Sequence, residues 1–442
     1  MSADTIALDT IRGCLEGVIP AVVGTCSADG VPNASYVSQM QYVDARHVAL
    51  SFQFFNKTRQ NILANPQASA LVVDPVTAAS YRLDLLYLRT ETEGALFQSM
   101  KAKLAGIASH TGMSGVFRLQ GSDVYRVLSV QRVPGPVRER PAPARNLLGA
   151  LRNACVRMSQ CVELEALFDQ TLAALDAQFG VQHALLLMAD APRERLFTVA
   201  SRGYAATGVG SEIAYGDGVI GVAAQHCAPI RINHMTLEYA YGRAMREGAA
   251  LQGEPEIPFP GLAQPHSQLA VPIVAGTQLM GVLCVESAQD LRFSYDDEDA
   301  LVTLAAHLGA TMRALSQDSD AAVPRIGPGL ESQAPGQPIE VRHYRANDSV
   351  FVDGDYLIKG VPGAILCKLL RTCIDSGRCD FTNRELRMAA ELRLPEVCDN
   401  LEARLILLHR RLAERCPSIV IEKTGRGQFR LKLARAVKLV EG

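Results

Sequence analysis

Hydrophobic residues in the first third of this 442-residue chain fall into short runs that end at turn signals. The runs "IPAVVGTCSADGVPNASYV", "HVALSFQFF", "ASALVVD" and "YRLDLLYLRTETEG" are rich in strand-forming residues, and "ADG" at residues 28–30 is a typical turn. We therefore predict a meander of strands that closes into a barrel over residues 1–133, with one late helix that ends at Gly112.

The hydrophobic period changes in the middle of the chain. The run "LEALFDQTLAALDAQFG" has apolar residues at positions i, i+3, i+4 and i+7, which predicts an amphipathic helix that ends at Gly180. Strand-like runs such as "HALLLMAD" and "QLAVPIVAGTQLMGVLCVES" follow, and "YDDEDALVTLAAHLGATMRAL" predicts a closing helix. Residues 147–316 thus form a second predicted domain.

The last hundred residues begin with short strands around an Asp353-Gly354 turn. A helix is predicted around Ile365 to Ile374, and a second begins with Thr382 as N-cap and Glu385 at N3. A third helix covers "EVCDNLEARLILLHRRLAER", and "PSIVIEKTGRGQFRLKL" predicts two strands around a glycine-rich turn. Strands, three helices and a terminal hairpin are the layout of a winged helix.

Two proline-rich stretches separate these segments. Residues 134–146 and 317–338 mix Pro, Gly and charged or polar residues without hydrophobic periodicity, which is typical of linkers. The chain is therefore predicted to be a multidomain α+β protein with domains at 1–133, 147–316 and 339–442.

Charge is distributed unevenly along the chain. The formal net charge is −2, yet residues 338–442 carry 19 Lys and Arg against 14 Asp and Glu, a net charge of +5. The basic C-terminal segment is the natural place to expect a nucleic-acid partner.

Cysteine usage and hydropathy bear on the compartment. The eleven cysteines have irregular spacing and form no CxxC pair, which favours free thiols in a reducing compartment over a disulfide framework. Cys367, Cys373 and Cys379 recur every six residues, and on a helix they would lie on different faces, so no metal site is predicted. No run approaches a bilayer span and no signal peptide is apparent, so we expect a cytoplasmic protein without a membrane partner.

The stretch "FFNKTRQNILANP" at residues 54–66 predicts a strand, a short polar turn and a helix that stops before Pro66. A helix N-terminus beside basic side chains favours an anion. With "GTCSADGVPNASYV" and "MSGVFRLQGSDVYRVLSV", this stretch resembles the pyridoxamine 5'-phosphate oxidase-like, FMN-binding split-barrel family over nearly all of segment 1–133. The resemblance implies a phosphate site at Lys57, Thr58 and Asn61, and a flavin edge at Ser51, Phe52 and Gln53.

Two further expectations follow from this resemblance. The oxidases of this family bind the substrate phosphate with a cluster of additional arginines and histidines, and no matching cluster follows residue 80, where Arg82 and Arg89 are the only arginines before Arg118. Oxidation of pyridoxamine phosphate is therefore not expected. Family members usually dimerise with the cofactor between barrels, so the resemblance implies a homodimer. The alternative to the phosphate site is a solvated turn whose charged residues bind nothing.

The middle segment resembles a GAF domain, a sheet flanked by helices that binds small ligands in many sensors. The resemblance rests on "GVIGVAAQHCAPIRI" and "LAVPIVAGTQLMGVLCVES". The Asn-Lys-x-Phe-Asp-Glu string of cyclic-nucleotide-binding members is absent, so the ligand is unknown. His226, Cys227, His234 and His266 lie in or near the expected pocket loops, where one could ligate haem or a metal or could simply be a surface or packing residue.

The C-terminal segment resembles the OmpR/PhoB-type winged-helix DNA-binding domain. "LEARLILLHRRL" matches the recognition helix and "KTGRGQFRL" matches the wing, with one extra residue. The residues expected at DNA are Arg404, His409, Arg410, Lys423 and Arg426. Ile406 and Leu407 stand where the family has polar or basic residues, so either the DNA contacts shift to the helix ends or this face meets protein.

Together these segments favour a one-component transcriptional regulator that is controlled by small-molecule or redox sensing in the barrel and the GAF domain. The alternative is a flavin-dependent oxidoreductase with regulatory GAF and winged-helix domains. A third possibility is an interaction scaffold whose barrel is empty. DNA, a small-molecule ligand and possible FMN are therefore the predicted partners and cofactor.

Overall fold

The computed structural model describes residues 6–15, 17, 19–53, 57–110, 118–140, 145–233, 257–318, 337–392 and 400–442. These residues form four β-sheets. We name the parts of the chain by their sheets: the N-terminal unit holds the first sheet, the middle unit the second, and the C-terminal unit the remaining two. The predicted linkers 134–146 and 317–338 lie partly outside the described residues.

The N-terminal unit has one seven-stranded sheet with the order β2-β1-β5-β6-β7-β4-β3, and every pair in it is antiparallel. Its strands are β1 Ala21–Cys26, β2 Pro32–Val37, β3 Met40–Asp44, β4 His47–Phe52, β5 Gln67–Val73, β6 Ser80–Glu91 and β7 Gly121–Val133. Its helices are α1 Lys57–Ala64 and α2 Gly94–His110, preceded by a 3₁₀ segment at Leu8–Leu15. Alternate residues of β1 and β5 are buried, as expected for strands with one face on a core.

The middle unit is a six-stranded antiparallel sheet with the order β10-β9-β8-β13-β12-β11. Its strands are β8 His183–Asp190, β9 Arg195–Arg202, β10 Glu212–Ala214, β11 Ile230–Ile232, β12 Ser267–Ala275 and β13 Gln278–Ser287. Its helices are α3 Leu147–Ser159, α4 Leu164–Phe179, α5 Gly218–His226 and α6 Tyr295–Asp318. The predicted end of α4 is confirmed, because Gly180 caps it in the left-handed conformation with φ of 59°.

Both faces of the middle sheet are covered by helices. Leu186 and Met188 of β8 pack with α3, α4 and α6, whereas Leu185 and Leu187 pack with α5 on the opposite face. This explains why β8 is an unbroken apolar run rather than an alternating one.

Helix α2 joins the N-terminal unit to the middle unit. It packs against α5 and β11, and Ala102 is buried in the apolar cluster of α5. Gly106 lies so close to Ile230 that a Cβ atom at this position would overlap the isoleucine side chain. A small residue is therefore required where the two units meet.

The C-terminal unit holds a four-stranded sheet, β16-β15-β14-β20, and a three-stranded sheet, β17-β19-β18. Its strands are β14 Ile339–Tyr344, β15 Ser349–Val352, β16 Asp355–Ile358, β17 Asp380–Thr382, β18 Ile419–Gly425, β19 Gln428–Leu433 and β20 Val437–Glu441. Its helices are α7 Val361–Ser376, α8 Asn383–Arg387 and α9 Leu401–Arg415. The predicted N-cap is confirmed, because Thr382 Oγ1 accepts a hydrogen bond of 3.1 Å from the Glu385 amide.

The expectation that no cysteines pair is wrong at one site. Cys373 and Cys379 form a disulfide with a Cα–Cα distance of 5.1 Å. The spacing argument against a metal site assumes that all three cysteines lie on one helix. In the structure α7 ends at Ser376, so Cys379 lies beyond the helix, after Gly377, whose φ is 69°. The bond ties the end of α7 to β17, which pairs with the hairpin strand β19.

Reduction of this disulfide is expected to lower the free energy of unfolding of the C-terminal unit by about 2 kcal/mol, the chain-entropy value for so short a loop. Urea unfolding with and without dithiothreitol measures the effect. In the Cys373→Ser/Cys379→Ser variant the reductant should change nothing. Equal stability of the wild-type protein in both conditions would contradict a stabilising bond.

Candidate functional site

A cavity of about 320 Å³ opens beside β4 and the start of α1 in the N-terminal unit. Three residues predicted at the cofactor line it, namely Ser51, Gln53 and Thr58, and so does Phe52. The structure therefore places these four together. They converge because β4 runs directly toward α1, with only residues 54–56, which lie outside the described residues, between Gln53 and Lys57.

The other two predicted phosphate residues have different surroundings. Lys57 is the exposed first residue of α1 and is not among the residues that line the cavity. Asn61 is 1% exposed and donates a hydrogen bond of 3.1 Å to Thr25 Oγ1, so it anchors α1 to β1. Thr58 Oγ1 accepts a hydrogen bond of 2.9 Å from Asn33 Nδ2 and lies 2.8 Å from Ser35 Oγ. The N-terminus of α1 is thus held against β2.

Two polar atoms of the cavity residues lack a partner. Ser51 Oγ and Gln53 Oε1 are shielded from solvent, and neither has a hydrogen-bond partner among the described residues. Gln53 Nε2 is held by Ser38 Oγ at 2.9 Å, which directs the amide. Since a buried polar atom without a partner costs about 1 to 3 kcal/mol, these atoms fit a polar ligand such as a flavin ring edge.

Arg59, one of the basic residues beside the predicted phosphate site, forms a buried ion pair with Asp123 at the cavity wall, and sequence reasoning missed Asp123 and this pairing. The Arg59 guanidinium also lies over the Phe52 ring, 4.5 Å from its centroid. Asp123 accepts a further hydrogen bond from Thr90 Oγ1. The two residues are 64 positions apart, so no local pattern could have paired them.

The candidate ligating residues of the middle unit do not converge. His226 ends α5 and Cys227 caps it with φ of 47°, and burial raises the pKa of the Cys227 thiol and lowers the pKa of His226. His266 pairs instead with Asp290 at 3.3 Å. His234 lies outside the described residues. Within the described ranges, no group of three or more His, Cys, Asp and Glu side chains could hold a metal ion.

A buried carboxylate in the middle unit was also missed. Glu286 of β13 is 4% exposed and accepts hydrogen bonds from Tyr204 Oη at 3.0 Å, Gln268 Nε2 at 3.0 Å and the Leu262 amide at 3.1 Å. These donors come from three separate parts of the chain. The bond from the Leu262 amide joins the 257–266 segment to β13.

The third helix of the C-terminal unit, α9, lies against the middle unit and not in solvent. Arg404 is 2% exposed and pairs with Asp190 at 3.2 Å. Arg410 contacts two acids of α4, Glu165 at 3.1 Å and Asp169 at 2.7 Å, and donates to the Val199 carbonyl at 3.2 Å.

The remaining basic residues predicted at DNA also lie at the boundary between the C-terminal unit and the middle unit. His409 Nδ1 lies 3.5 Å from Glu165 Oε1, and Lys423 of β18 pairs with Glu163 at 2.9 Å. Arg426 lines a cavity between the two units, as does Ile406. Four of the five residues predicted at DNA therefore pair with carboxylates of the middle unit. In this arrangement the face that carries Ile406 meets protein.

The contact between His409 and Glu165 should make the docking of α9 depend on pH. Their hydrogen bond is the main cause that raises the pKa of His409 above 6.5 and lowers the pKa of Glu165 below 4.5. The contribution of His409 is therefore fully present below pH 6.5 and is lost as the pH rises through its raised pKa. The contribution of Glu165 is present above pH 4.5 and is lost as the pH falls through its lowered pKa.

We expect His409→Gln to reduce the free energy of urea unfolding near pH 6, and to have a smaller effect near pH 8. Unfolding curves of both proteins across this range give the measurement. A difference that stays constant over the range would contradict a stabilising role for the protonated imidazole.

Two family models match the chain. Residues 7–122 match the model described as pyridoxamine 5'-phosphate oxidase, and residues 163–312 match the GAF domain model. No curated protein matched the sequence in the comparison. No helix within the described ranges has the length and apolarity needed to cross a membrane.

Solved structures resemble parts of the chain. The GAF domain of an Acinetobacter phosphoenolpyruvate-protein phosphotransferase is 22% identical, with 40% of this chain and 97% of that chain covered and a TM-score of 0.32. HupZ from Group A Streptococcus is 22% identical, with coverages of 29% and 97% and a TM-score of 0.24. An FMN-binding protein from Syntrophomonas wolfei is 13% identical, with coverages of 29% and 92% and a TM-score of 0.24.

The family models and the sheet topologies agree with the first two predicted modules. The N-terminal unit is the antiparallel strand assembly expected of the first, and the middle unit is the helix-flanked antiparallel sheet expected of the second. This multidomain α+β chain carries a pyridoxamine 5'-phosphate oxidase-like N-terminal domain followed by a GAF domain.

Proposed function

We propose that this protein is a one-component transcriptional regulator. The N-terminal and GAF domains sense a small molecule or a redox state, and the C-terminal unit binds DNA as a winged helix. The order of the C-terminal elements supports this, because strands β14, β15 and β16 are followed by α7, α8, α9 and the β18–β19 hairpin. The net charge of +5 over residues 338–442 favours a nucleic-acid partner.

The observation that carries the proposal is the contact between α9 and the GAF helix α4. Four of the five residues proposed for DNA, namely Arg404, His409, Arg410 and Lys423, pair with Glu163, Glu165, Asp169 and Asp190. In this proposal, the carboxylates of the GAF domain pair with the basic side chains that would otherwise contact DNA phosphates. A sensor that competes with DNA for the same side chains can control DNA binding directly.

Two states follow from this competition. In the docked state α9 lies on the GAF domain, and in the released state its basic face is free to enter the major groove. A signal shifts the equilibrium only if it binds the two states with different affinity. The protein acts as a cytoplasmic homodimer in this proposal, since paired winged helices read paired half-sites.

Binding of the purified protein to its own upstream DNA region tests the function. We expect a sequence-dependent gel shift whose affinity falls steeply with salt, and Arg426→Ala should weaken it and reduce the salt slope. The matched control is Lys432→Ala on the same hairpin, because Lys432 pairs with Glu422 at 2.9 Å within the C-terminal unit. The function is wrong if no sequence-dependent shift occurs for the wild-type protein or for variants that release α9.

We further propose that the N-terminal cavity holds FMN. Lys57 and Thr58 would lie at the phosphate, with Asn61 fixing the turn, and Ser51 and Gln53 would bond the ring edge. The flavin supplies a redox-active ring, and this chain's residues position it and shield it from water. Ser51 Oγ and Gln53 Oε1, which lack partners among the described residues, are the atoms that support this assignment.

The same two atoms favour a second candidate function, a flavin-dependent oxidoreductase with regulatory GAF and C-terminal units. The absorbance spectrum of the freshly purified protein distinguishes the possibilities. Flavin bands that are bleached by a nicotinamide cofactor and restored by a substrate over many turnovers favour the enzyme. Flavin bands without turnover favour the sensor, and their absence contradicts both flavin assignments.

A further inference from the structure

The bond between Cys373 and Cys379 is the one disulfide among the residues that the structure describes, and eight other described cysteines are free thiols. It therefore belongs to no framework of the kind that stabilises small secreted domains. Where a protein keeps its other thiols reduced, an isolated disulfide is typically transient and redox-sensing.

The disulfide bridges an exposed turn of the chain. Cys373 and Cys379 are 0% and 6% exposed, whereas residues 374–376 and Arg378, which lie between them, are exposed. Short exposed segments open locally at a much lower free energy than that of global unfolding. Opening of this one turn therefore gives a small reagent access to the sulfur atoms while the unit stays folded.

Cys379 leads directly into the elements proposed to read DNA. Its carbonyl accepts a hydrogen bond of 2.9 Å from the Leu431 amide of β19. Four residues later, the Asn383 amide donates to the Gly427 carbonyl at 2.9 Å, in the turn of the β18–β19 hairpin. The Asn383 side chain donates to Glu402 of α9 at 3.1 Å. The disulfide thus ties α7 to a segment that contacts the hairpin, begins α8 and contacts α9.

The disulfide has its largest effect when α9 is released from the GAF domain. In the docked state the hairpin and α9 are also held by Lys423 and Arg410, which pair with Glu163 at 2.9 Å and Asp169 at 2.7 Å. Release removes these restraints, so the arrangement of the hairpin and α9 then depends on contacts within the C-terminal unit. A covalent bond removes most chain entropy where other restraints are fewest, so it favours the released state over the docked state.

We propose that Cys373 and Cys379 form a reversible redox site that small-molecule disulfides oxidise and dithiols reduce. In the oxidation, the Cys379 thiolate attacks one sulfur of the small disulfide and expels one thiolate. The Cys373 thiolate then attacks the Cys379 sulfur and expels the second. The protein loses two thiol protons and two electrons, and the small disulfide becomes two thiols.

The regulatory consequence rests on the proposed function. The oxidised protein binds DNA about fivefold to tenfold more tightly than the reduced protein, because reduction returns part of the chain entropy that the short loop removes. The redox signal is therefore read in the C-terminal unit itself, in addition to any signal that the N-terminal and GAF domains sense.

Equilibration of the full chain with graded ratios of glutathione disulfide to glutathione, and with dithiothreitol, tests the site. Acid quenching, alkylation and tryptic digestion then place the two cysteines on different peptides, residues 372–378 and 379–384, which mass spectrometry detects as a linked pair when oxidised. We expect complete and reversible conversion while circular dichroism shows a folded protein. Cys373→Ser should accumulate glutathione on Cys379, and the control Cys155→Ser, which removes a half-buried free thiol of α3, should titrate like the wild type.

A bond that dithiothreitol breaks only when the protein unfolds would be purely structural and would overturn the redox site, as would absence of the linked pair in every buffer. DNA affinity is measured separately for the oxidised protein, the reduced protein and the Cys373→Ser/Cys379→Ser variant, which should match the reduced protein in all buffers. Equal affinity of the oxidised and reduced proteins overturns the regulatory step alone. Absence of DNA binding by both refutes the proposed function, while the peptide measurement still decides the redox site.

Discussion

Replacing Glu165 and Asp169 by arginine is expected to raise the affinity for DNA by about tenfold to a hundredfold, or about 1.4 to 2.8 kcal/mol. Both carboxylates hold Arg410, at 3.1 Å and 2.7 Å, and Glu165 also contacts His409. The reversal converts these attractions into repulsions at a half-buried interface, where like charges cost several kcal/mol. The docked state loses stability, and the basic face of α9 becomes available.

Fluorescence anisotropy with labelled operator DNA measures the affinity, and protease accessibility of the predicted linker 317–338 reports release without DNA. The matched control is Asp176→Arg, because Asp176 lies on the same helix but pairs with Arg202 of its own domain at 2.7 Å. Greater protease accessibility of the linker without greater affinity for DNA would support the docking contact but contradict DNA binding by α9. No change in either measurement would contradict the docking contact.

The second large effect is expected at Asp123, whose replacement by alanine should destabilise the N-terminal unit by about 3 to 5 kcal/mol. The Arg59 and Asp123 side chains are only 13% and 7% exposed, so the variant removes a buried carboxylate that pairs with a buried guanidinium. Thr90 Oγ1 loses its acceptor in the same variant. Because Arg59 and Asp123 both line the cavity, any flavin bound there should be lost in parallel.

Urea unfolding followed by circular dichroism measures this effect. Arg89→Ala provides the comparison, since it breaks the exposed pair of Arg89 with Glu91 on the same sheet and should cost less than about 1 kcal/mol. Similar costs for the two variants would contradict a specific role of the buried pair. Retention of flavin in a destabilised Asp123→Ala protein would show that the buried pair stabilises the fold but is not needed for flavin binding.

Local patterns in the sequence anticipated much of the local structure. The apolar spacing of α4 and the Gly180 cap predicted a helix and its end, because both depend on contacts within a few residues. Ser51, Gln53 and Thr58 line one cavity, since they lie at the end of β4 and the start of α1, and their role at a cofactor stays a prediction. Lys57 and Asn61 belong to the same helix, α1, but Lys57 is exposed whereas Asn61 is buried against Thr25 of β1, a contact that the local pattern does not contain.

Contacts between residues that are far apart in the sequence could not be predicted from local patterns. Arg59 meets Asp123 across 64 positions, and Cys373 reaches Cys379 only because α7 ends between them. Glu286 gathers donors from three segments, and no spacing rule connects Tyr204 with Leu262 and Gln268. Such contacts depend on how sheets and loops pack, which is a property of the whole fold.

Composition and short-range pattern were enough to predict the order of the first two modules, the helix and strand periods and the basic character of the C-terminal segment. Where the basic residues of that segment point depends on the packing of the whole fold. The sequence around Arg404 and Arg410 is the same whether these side chains face DNA or protein. They lie on the GAF domain because they pair with carboxylates more than 200 residues away, those of Asp190, Glu165 and Asp169. Charge complementarity between distant segments acts only after folding has brought them together.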